Sequence, residues 1–403
     1  MQTSLIYHAF GVKNVECTAI AYKDSSIILN IQTKEEKLCC PCCGSRKIVR
    51  NGYKERQFKA IPIGRKPVCL NMKVQRVKCK NCNHDGLEKL HFVTGKKTTT
   101  HRFERFVIEL LRMGTISDVA KYLRVGWTLV KEIHKNYLKN NFSNPDISKV
   151  RYIGIDEFAV SKGHVYKTIV VDLETGHIIY VGEGKGSDSL DKFWKKIEKK
   201  DVTIEYVSSD LSQAYISAIR KHIPKAIHVF DRFHVKKLVV DKLDSIRKSL
   251  YHDEKFKENR DVIKGMRWLI LGNGEDISLN GQEKLQKALE INEPLSKAYY
   301  LKEELDEVWK QPIKSMAREV LYSWISKALR CGVEKMVKVA VTIFKRREGI
   351  LAWYNKGISN GKVEGINNKI KVMKRDAYGF RDDKYFDLRL LALHASGITA
   401  FAR

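Results

Sequence analysis

Three acidic residues, far apart in the chain, sit where phosphodiester chemistry would want carboxylates. They are Asp156 in VRYIGIDEF, Asp210 in IEYVSSD and Glu364 in SNGKVEGINNKIK. The first two close hydrophobic, strand-like runs, and the third lies near the start of a basic helical stretch. Mg²⁺ is a hard ion that prefers carboxylate oxygens, and Mn²⁺ suits the same donors. Two such ions about 3.5–4 Å apart can activate a nucleophile and stabilise the leaving oxygen of an in-line displacement. If the fold gathers the three acids, the expectation is two Mg²⁺ (or Mn²⁺) ions per site. An Asp at a strand end is often only a turn or cap residue, so rivals are weighed. Alternation sends Glu157 to the opposite strand face from Asp156, and Asp172 precedes a turn. Asp188 is a further rival, and Asp231 is the serious competitor, because it also ends a strand and has Arg232 and His234 beside it.

The third acid needs a helix. Ser359 or Asn360 can cap it, and Gly361 permits close approach. Asn367, Asn368, Lys371 and Arg375 follow Glu364 at i+3, i+4, i+7 and i+11, which places them on its face. A carboxylate with amide and basic groups below it can grip a DNA backbone beside the metals.

The first two acids need a sheet. A strand ending at Asp156 is followed by a hairpin turning at Leu173-Glu174-Thr175-Gly176. Next comes a helix with Leu190, Phe193, Trp194 and Ile197 on one face, then a strand ending at Asp210. A helix carrying Tyr215, Ile219 and His222 stops at Pro224, and a strand from Ala226 to Asp231 closes the sheet. This β-β-β-α-β-α-β order is that of an RNase H-like sheet, in which the first and fourth strands are neighbours.

Of 403 residues, 75 are Lys or Arg and 47 Asp or Glu, a formal net charge of +28. That excess favours a polyanionic partner. No apolar run approaches the roughly 18 residues of a spanning helix, which makes a membrane the weakest partner. The N-terminus lacks the pattern of a signal peptide, so nine cysteines point to metal ligation in a reducing, cytoplasmic setting. LCCPCCGSRK and VKCKNCNH each contain a CxxC knuckle, and two such knuckles make the four-thiolate site zinc prefers. Cys40, Cys43, Cys79 and Cys82 are the chosen ligands, with Gly44 giving the tight turn after the second thiolate; Cys39 with Cys42 is the rival register. Further on, TISDVAKYLRVGWTLVKEIHKNYL has the grammar of a helix-turn-helix. Ser117 is its expected cap and Val125-Gly126 its turn. Trp127 opens the second helix, and Lys131 and Lys135 are the expected exposed basic residues toward DNA. An ordinary αα-hairpin is the bland alternative.

The ordered set CPxCG with CxxC, the helix-turn-helix, IGIDEF, SSDLSQAY, HVFDRFHVKK and SNGKVEGINNKIKVMKRDAYGFRD resembles the DDE-type bacterial insertion-sequence transposases of the ISL-three family. The resemblance covers nearly the whole chain and is most specific from Glu364 to Phe380. It implies Asp156, Asp210 and Glu364 as the catalytic triad, and a helical insertion between the last strand and the catalytic helix. The fold expectation is therefore α/β and multi-domain: a zinc ribbon (1–93), a helix-turn-helix (94–145), an RNase H-like core (146–232), a helical insertion (233–345) and the end of the core (346–403). The functional expectation is an enzyme that binds the inverted repeats of its element as a dimer on double-stranded DNA, cleaves the ends and transfers the 3′-OH strands to target DNA. A binding-only regulator and a structure-specific nuclease of the same fold are the rivals.

Overall fold

The computed structural model describes residues 3–394, apart from 162–164, 254–257, 259, 273–276 and 358–360. The chain forms two compact units: Met1–Asn144 with Val372–Arg403, and Pro145–Lys371.

The first unit begins with α1 (Thr3–Phe10) and a sheet of β1 (Val15–Lys23), β2 (Ser26–Thr33), β3 (Ile48–Ile63), β4 (Lys66–Cys79) and β5 (Asp85–Leu87). The order is β1-β2-β4-β3, with β5 on β4. Asp24 and Ser25 turn the first hairpin with φ of 49° and 61°, the left-handed pair that matches strand twist. Alternate residues of β4 (Val68, Leu70, Met72, Val74) meet Phe58, Leu29, Ile6 and Phe10 in a core, as a period of two requires.

Three helices follow: α2 (His101–Leu110), α3 (Ile116–Leu123) and α4 (Trp127–Phe142). They share a core of Phe103, Val107, Val119, Leu123, Val130 and Ile133. The cap of α3 is Thr115, not Ser117: Thr115 and Asp118 exchange side-chain and backbone hydrogen bonds in a capping box. That arrangement satisfies two end donors at once, which Ser117, inside the first turn, cannot do. The turn also differs in detail. Arg124 takes the left-handed conformation (φ 54°), while Gly126 is extended and caps α4.

The second unit holds β6 (Tyr152–Ser161), β7 (Val165–Asp172), β8 (Ile178–Glu183), α5 (Asp191–Lys200), β9 (Tyr206–Ser209), α6 (Gln213–His222) and β10 (Ile227–Phe230). The order is β10-β9-β6-β7-β8, so the first and fourth strands are neighbours and run parallel, as the RNase H-like reading expects. Phe193, Trp194, Tyr215 and Ile219 from α5 and α6 pack against Ile153, Ile155, Val170 and Val207.

A long helical stretch follows: α7 (Arg232–His252), α8 (Arg260–Gly265), α9 (Arg267–Leu271), α10 (Leu279–Ile291), α11 (Glu293–Leu305), α12 (Glu307–Lys310), α13 (Lys314–Arg330), α14 (Glu334–Leu351), α15 (Trp353–Lys356) and α16 (Gly361–Asp376). Its core of Val239, Leu243, Leu321, Trp324 and Met336 is continuous with Phe230 of the sheet. The expected caps Ser359 and Asn360 lie outside the described residues. The last helix, α17 (Asp383–Leu391), belongs to the first unit; its Tyr385 packs with Leu138 of α4. Among the described residues no helix is long and apolar enough to cross a membrane.

Candidate active site and metal centre

The sheet register places the acids of the second unit. Gly154 of β6 pairs with Ser208 of β9, so two residues further on Asp156 and Asp210 stand abreast. Ser209 pairs with Phe230 of β10, which brings Asp231 abreast of Asp210 in turn. Asp210 and Asp231 directly follow β9 and β10, but Asp156 does not end its strand as expected: β6 leaves β9 after Gly154 and runs on to Ser161, because β7 continues to pair with it. The three acids still line up beyond the carboxyl ends of β9 and β10, the usual ligand edge of an open α/β sheet.

Each carboxylate is held. Asp156 Oδ1 accepts from the Glu157 amide at 2.8 Å, and its Oδ2 accepts from Asn367 Nδ2 at 2.7 Å. Asp210 Oδ1 accepts from the Ser212 amide at 2.9 Å. Asp231 caps α7, accepting from the Phe233 amide, and its Oδ2 lies 3.8 Å from His234 Nε2.

Glu364 sits exposed in the first turn of α16. Asn367, three residues on and therefore on the same face, ties that helix to Asp156. The field of Glu364 reaches Asp231. Asp231, weighed as a competitor, is thus a neighbour of both Asp210 and Glu364.

Burial, above all, pushes Asp156, Asp210 and Asp231 above the usual carboxylate range; Asp210 adds to the effect on Asp156, and Glu364 and Asp210 add to it on Asp231. Glu157 rises to about 7, through burial first and then Asp210 and Asp156. It stands opposite Thr168 in the ladder, and Thr168 bonds Tyr215. Alternation does turn Glu157 to that side, but its long side chain leaves its charge within reach of the other acids. His234 offsets all four: its field lowers Asp156, Glu157, Asp210 and Asp231. A sequence signal for this group existed, since an N-cap Asp with a His three residues on places both at the start of one helix.

The arrangement fits hard cations. The donors are carboxylate oxygens, and several like charges are crowded together with one imidazole to balance them. Glu157 Oε2 and Asn367 Oδ1 are buried with no hydrogen-bond partner among the described residues. Buried polar atoms are normally satisfied, so these point to a missing electropositive neighbour.

In the first unit, the Sγ atoms of Cys40, Cys43, Cys79 and Cys82 all lie within 4.8 Å of one another. The Cys39 and Cys42 register is not the one that converges. Gly44 (φ 73°) and Asn83 (φ 54°) follow the second cysteine of each knuckle in left-handed conformations. The tight turns let backbone amides reach sulfur: Cys42 N to Cys40 Sγ at 3.4 Å, and Asn81 N to Cys79 Sγ at 3.3 Å. Backbone amide donation, from Cys82 first, holds the Cys79 thiol down to about 6, and Cys40 is lowered too, whereas Cys43 and Cys82 are raised; metal binding would take all four as thiolates. Four converging thiols make a closed structural zinc site.

The expected DNA-facing residues divide. Trp127 is exposed, and so are Asn368, Lys371 and Arg375. Asn367 is not on the solvent face, because its amide turns in to Asp156. Lys131 and Lys135 are not exposed either: both ammonium groups lie 2.8 Å from Asp382 Oδ2. The helical pattern marked their face of α4 correctly as polar, but could not show that an acid almost 250 residues later would occupy it.

Comparison with known proteins gives the family. Residues 153–390 match the DDE transposase domain of the ISL3 type. Residues 36–82 match the zinc finger of the transposases of IS204, IS1001, IS1096 and IS1165, and residues 88–138 the helix-turn-helix domain of transposase family ISL3. The transposase for insertion sequence element IS1001 of Bordetella parapertussis is 31% identical over 96% of this chain and 95% of its own length. The transposase for IS1557 of Mycobacterium tuberculosis is 26% identical over 85% of this chain and 82% of its own. Among solved structures, the Drosophila P element transposase strand transfer complex is similar with a TM-score of 0.41 at 10% identity, covering 73% of this chain and 93% of that one. With a catalytic-domain match over more than half its length and a relative 31% identical across nearly all of it, this chain belongs to the ISL3 family of insertion-sequence transposases.

Proposed function

We propose that Asp156, Asp210 and Glu364 hold two Mg²⁺ or Mn²⁺ ions, and that the chain cuts the ends of its own insertion sequence and joins them to target DNA. The observation that carries this reading is the hydrogen bond from Asn367 to Asp156. It ties the helix of Glu364 to the strand of Asp156, whose register puts Asp210 alongside. When bound, the ions supply the Lewis acidity that activates a water or a 3′-hydroxyl and stabilises the leaving oxygen.

The chain's own groups do the rest. Asn367 fixes the orientation of Asp156, and the Ser212 amide that of Asp210. His234 offsets the crowded acids, with its Nε2 3.8 Å from Asp231 Oδ2. Asn368, Lys371 and Arg375 line the exposed side of α16 as phosphate contacts. In the first unit, Trp127, Lys131 and Lys135 on α4 address the terminal inverted repeats, beside a ribbon held by zinc on Cys40, Cys43, Cys79 and Cys82.

The segment reading given above, 1–93, 94–145, 146–232, 233–345 and 346–403, is part of this proposal. So are a cytoplasmic location and assembly as a symmetric dimer on two ends. The net charge of +28 supports strong phosphate binding. Affinity is expected to fall by about 10³-fold or more between 50 and 200 mM salt if some six phosphates are neutralised.

The test is a cleavage assay on a duplex carrying the element's end. D156N should abolish Mg²⁺- or Mn²⁺-dependent cleavage and leave end binding intact. A variant that still cuts would remove Asp156 from the site.

A further inference from the structure

The first unit contains an ion pair that the transposition chemistry leaves unused. Lys131 and Lys135 lie one turn apart on α4, and both ammonium groups converge on a single oxygen, Asp382 Oδ2, at 2.8 Å each. The three side chains are 17%, 27% and 23% exposed, so water screens the cluster only in part.

Asp382 is not a stray surface acid. Its other oxygen accepts the Tyr385 amide at 3.0 Å and caps α17. The Tyr385 hydroxyl in turn bonds Nδ1 of buried His134 on α4 at 2.7 Å. Leu138 and Tyr385 close the apolar contact below it. The carboxylate is thus fixed at its own helix start and pointed at two cations of the second helix of the helix-turn-helix. Lys131 also lies 5.6 Å from the Trp127 ring and 5.8 Å from that of Tyr385, which further limits where its ammonium can go.

A carboxylate between two lysines occupies the place a backbone phosphate would take. Phosphate contacts strengthen binding to every sequence alike, whereas specificity comes from base edges and shape. An internal acid that engages those lysines lowers the sequence-independent part of affinity and leaves base contacts untouched. We infer that Asp382 limits the sequence-independent affinity of this helix for DNA, holding Lys131 and Lys135 back from phosphate. The inference rests on the reading of α4 as the DNA-facing helix.

The test measures affinity for a random-sequence duplex and for the element-end duplex across a salt series. D382N and D382S remove the charge while keeping side chains that cap helices well; melting temperatures check that both fold. Each should bind the random duplex roughly eightfold tighter at 0.1 M salt, with a salt slope steeper by about 0.9, the signature of one added phosphate contact. The end duplex should gain by a similar factor, because a phosphate contact does not depend on sequence. The K131A/K135A double variant should reverse the gain.

Unchanged or weaker binding by D382N and D382S, with K131A/K135A still weakening binding, would overturn the inference and leave Asp382 as an anchor for α17. If K131A/K135A also leaves binding unchanged, α4 does not face DNA, and both readings fail together.

Discussion

The two candidate metal centres are built in opposite ways. The four thiols sit on two knuckles of the first unit, in local turns that aim amides at sulfur, and they close on one another. The carboxylates of the second unit come from within β6, from the ends of β9 and β10, and from a helix far later in the chain. Three are half-buried and pushed up chiefly by that burial, whereas Glu364 is exposed. A closed site spends its donors on stability, while an open one keeps room for substrate. The thiol cluster is therefore part of the fold, and the acid cluster is held under electrostatic tension by it.

The largest effect should come from zinc. Structural zinc binding carries on the order of 10 kcal/mol of apparent free energy in small zinc modules. A strong chelator, or C43S, should therefore unfold the ribbon, seen as loss of β signal in circular dichroism and as protease sensitivity within residues 36–87. A ribbon that stays folded without metal would break the contrast between the centres. D210N and E364Q should act on chemistry alone. End cleavage should fall by about 10³-fold or more, as expected where groups act as a unit, with melting temperature unchanged or raised, since a repulsive charge has gone.

A divalent cation should sharpen the contrast further. At 100 times its Kd, Mn²⁺ should stabilise the protein by about 2.7 kcal/mol in a thermal melt, and D156N should cancel the gain. The gain should be larger at pH 8 than at pH 5. Glu157 is raised to about 7, so its penalty is absent below the unfolded value of about 4.5 and grows as pH rises toward 7. The ion relieves a charge that exists only on the alkaline side.

The first unit should show the opposite dependence. Burial, then the field of Arg389, pulls His134 down to about 3. Its stabilising effect is present above the unfolded value of about 6.5 and is lost as pH falls toward 3. Between pH 6.5 and 5 the loss should be roughly 2 kcal/mol. His134→Gln, which keeps a partner for the Tyr385 hydroxyl, should remove that part of the acid sensitivity in urea melts. An unchanged slope would place the acid sensitivity elsewhere.

Much of the site was legible because its signals are local. The CxxC knuckles with Gly44 announce a tight thiolate turn, and the strands that carry Asp156 and lead to Asp210 show in the hydrophobic runs before them, although β6 runs on past Asp156 to Ser161. The order of strands and helices was enough to pair β6 with β9. Fine features were less legible. Thr115 rather than Ser117 caps α3, because the choice depends on which oxygen finds both a free amide and Asp118 in reach.

By itself, then, the chain determined most of its elements, its two cysteine knuckles and the acids that could serve as a triad; which register of the first knuckle converges was decided by the fold. These follow from periodicity and short spacing, which act within a few residues. Only the tertiary structure decided what lies between distant segments. It placed Asp231 and His234 among the acids, turned Asn367 inward to Asp156 and put Asp382 against Lys131 and Lys135. Such pairings depend on strand register and helix packing across up to about 250 residues, and electrostatic contacts made that way leave no period in the sequence.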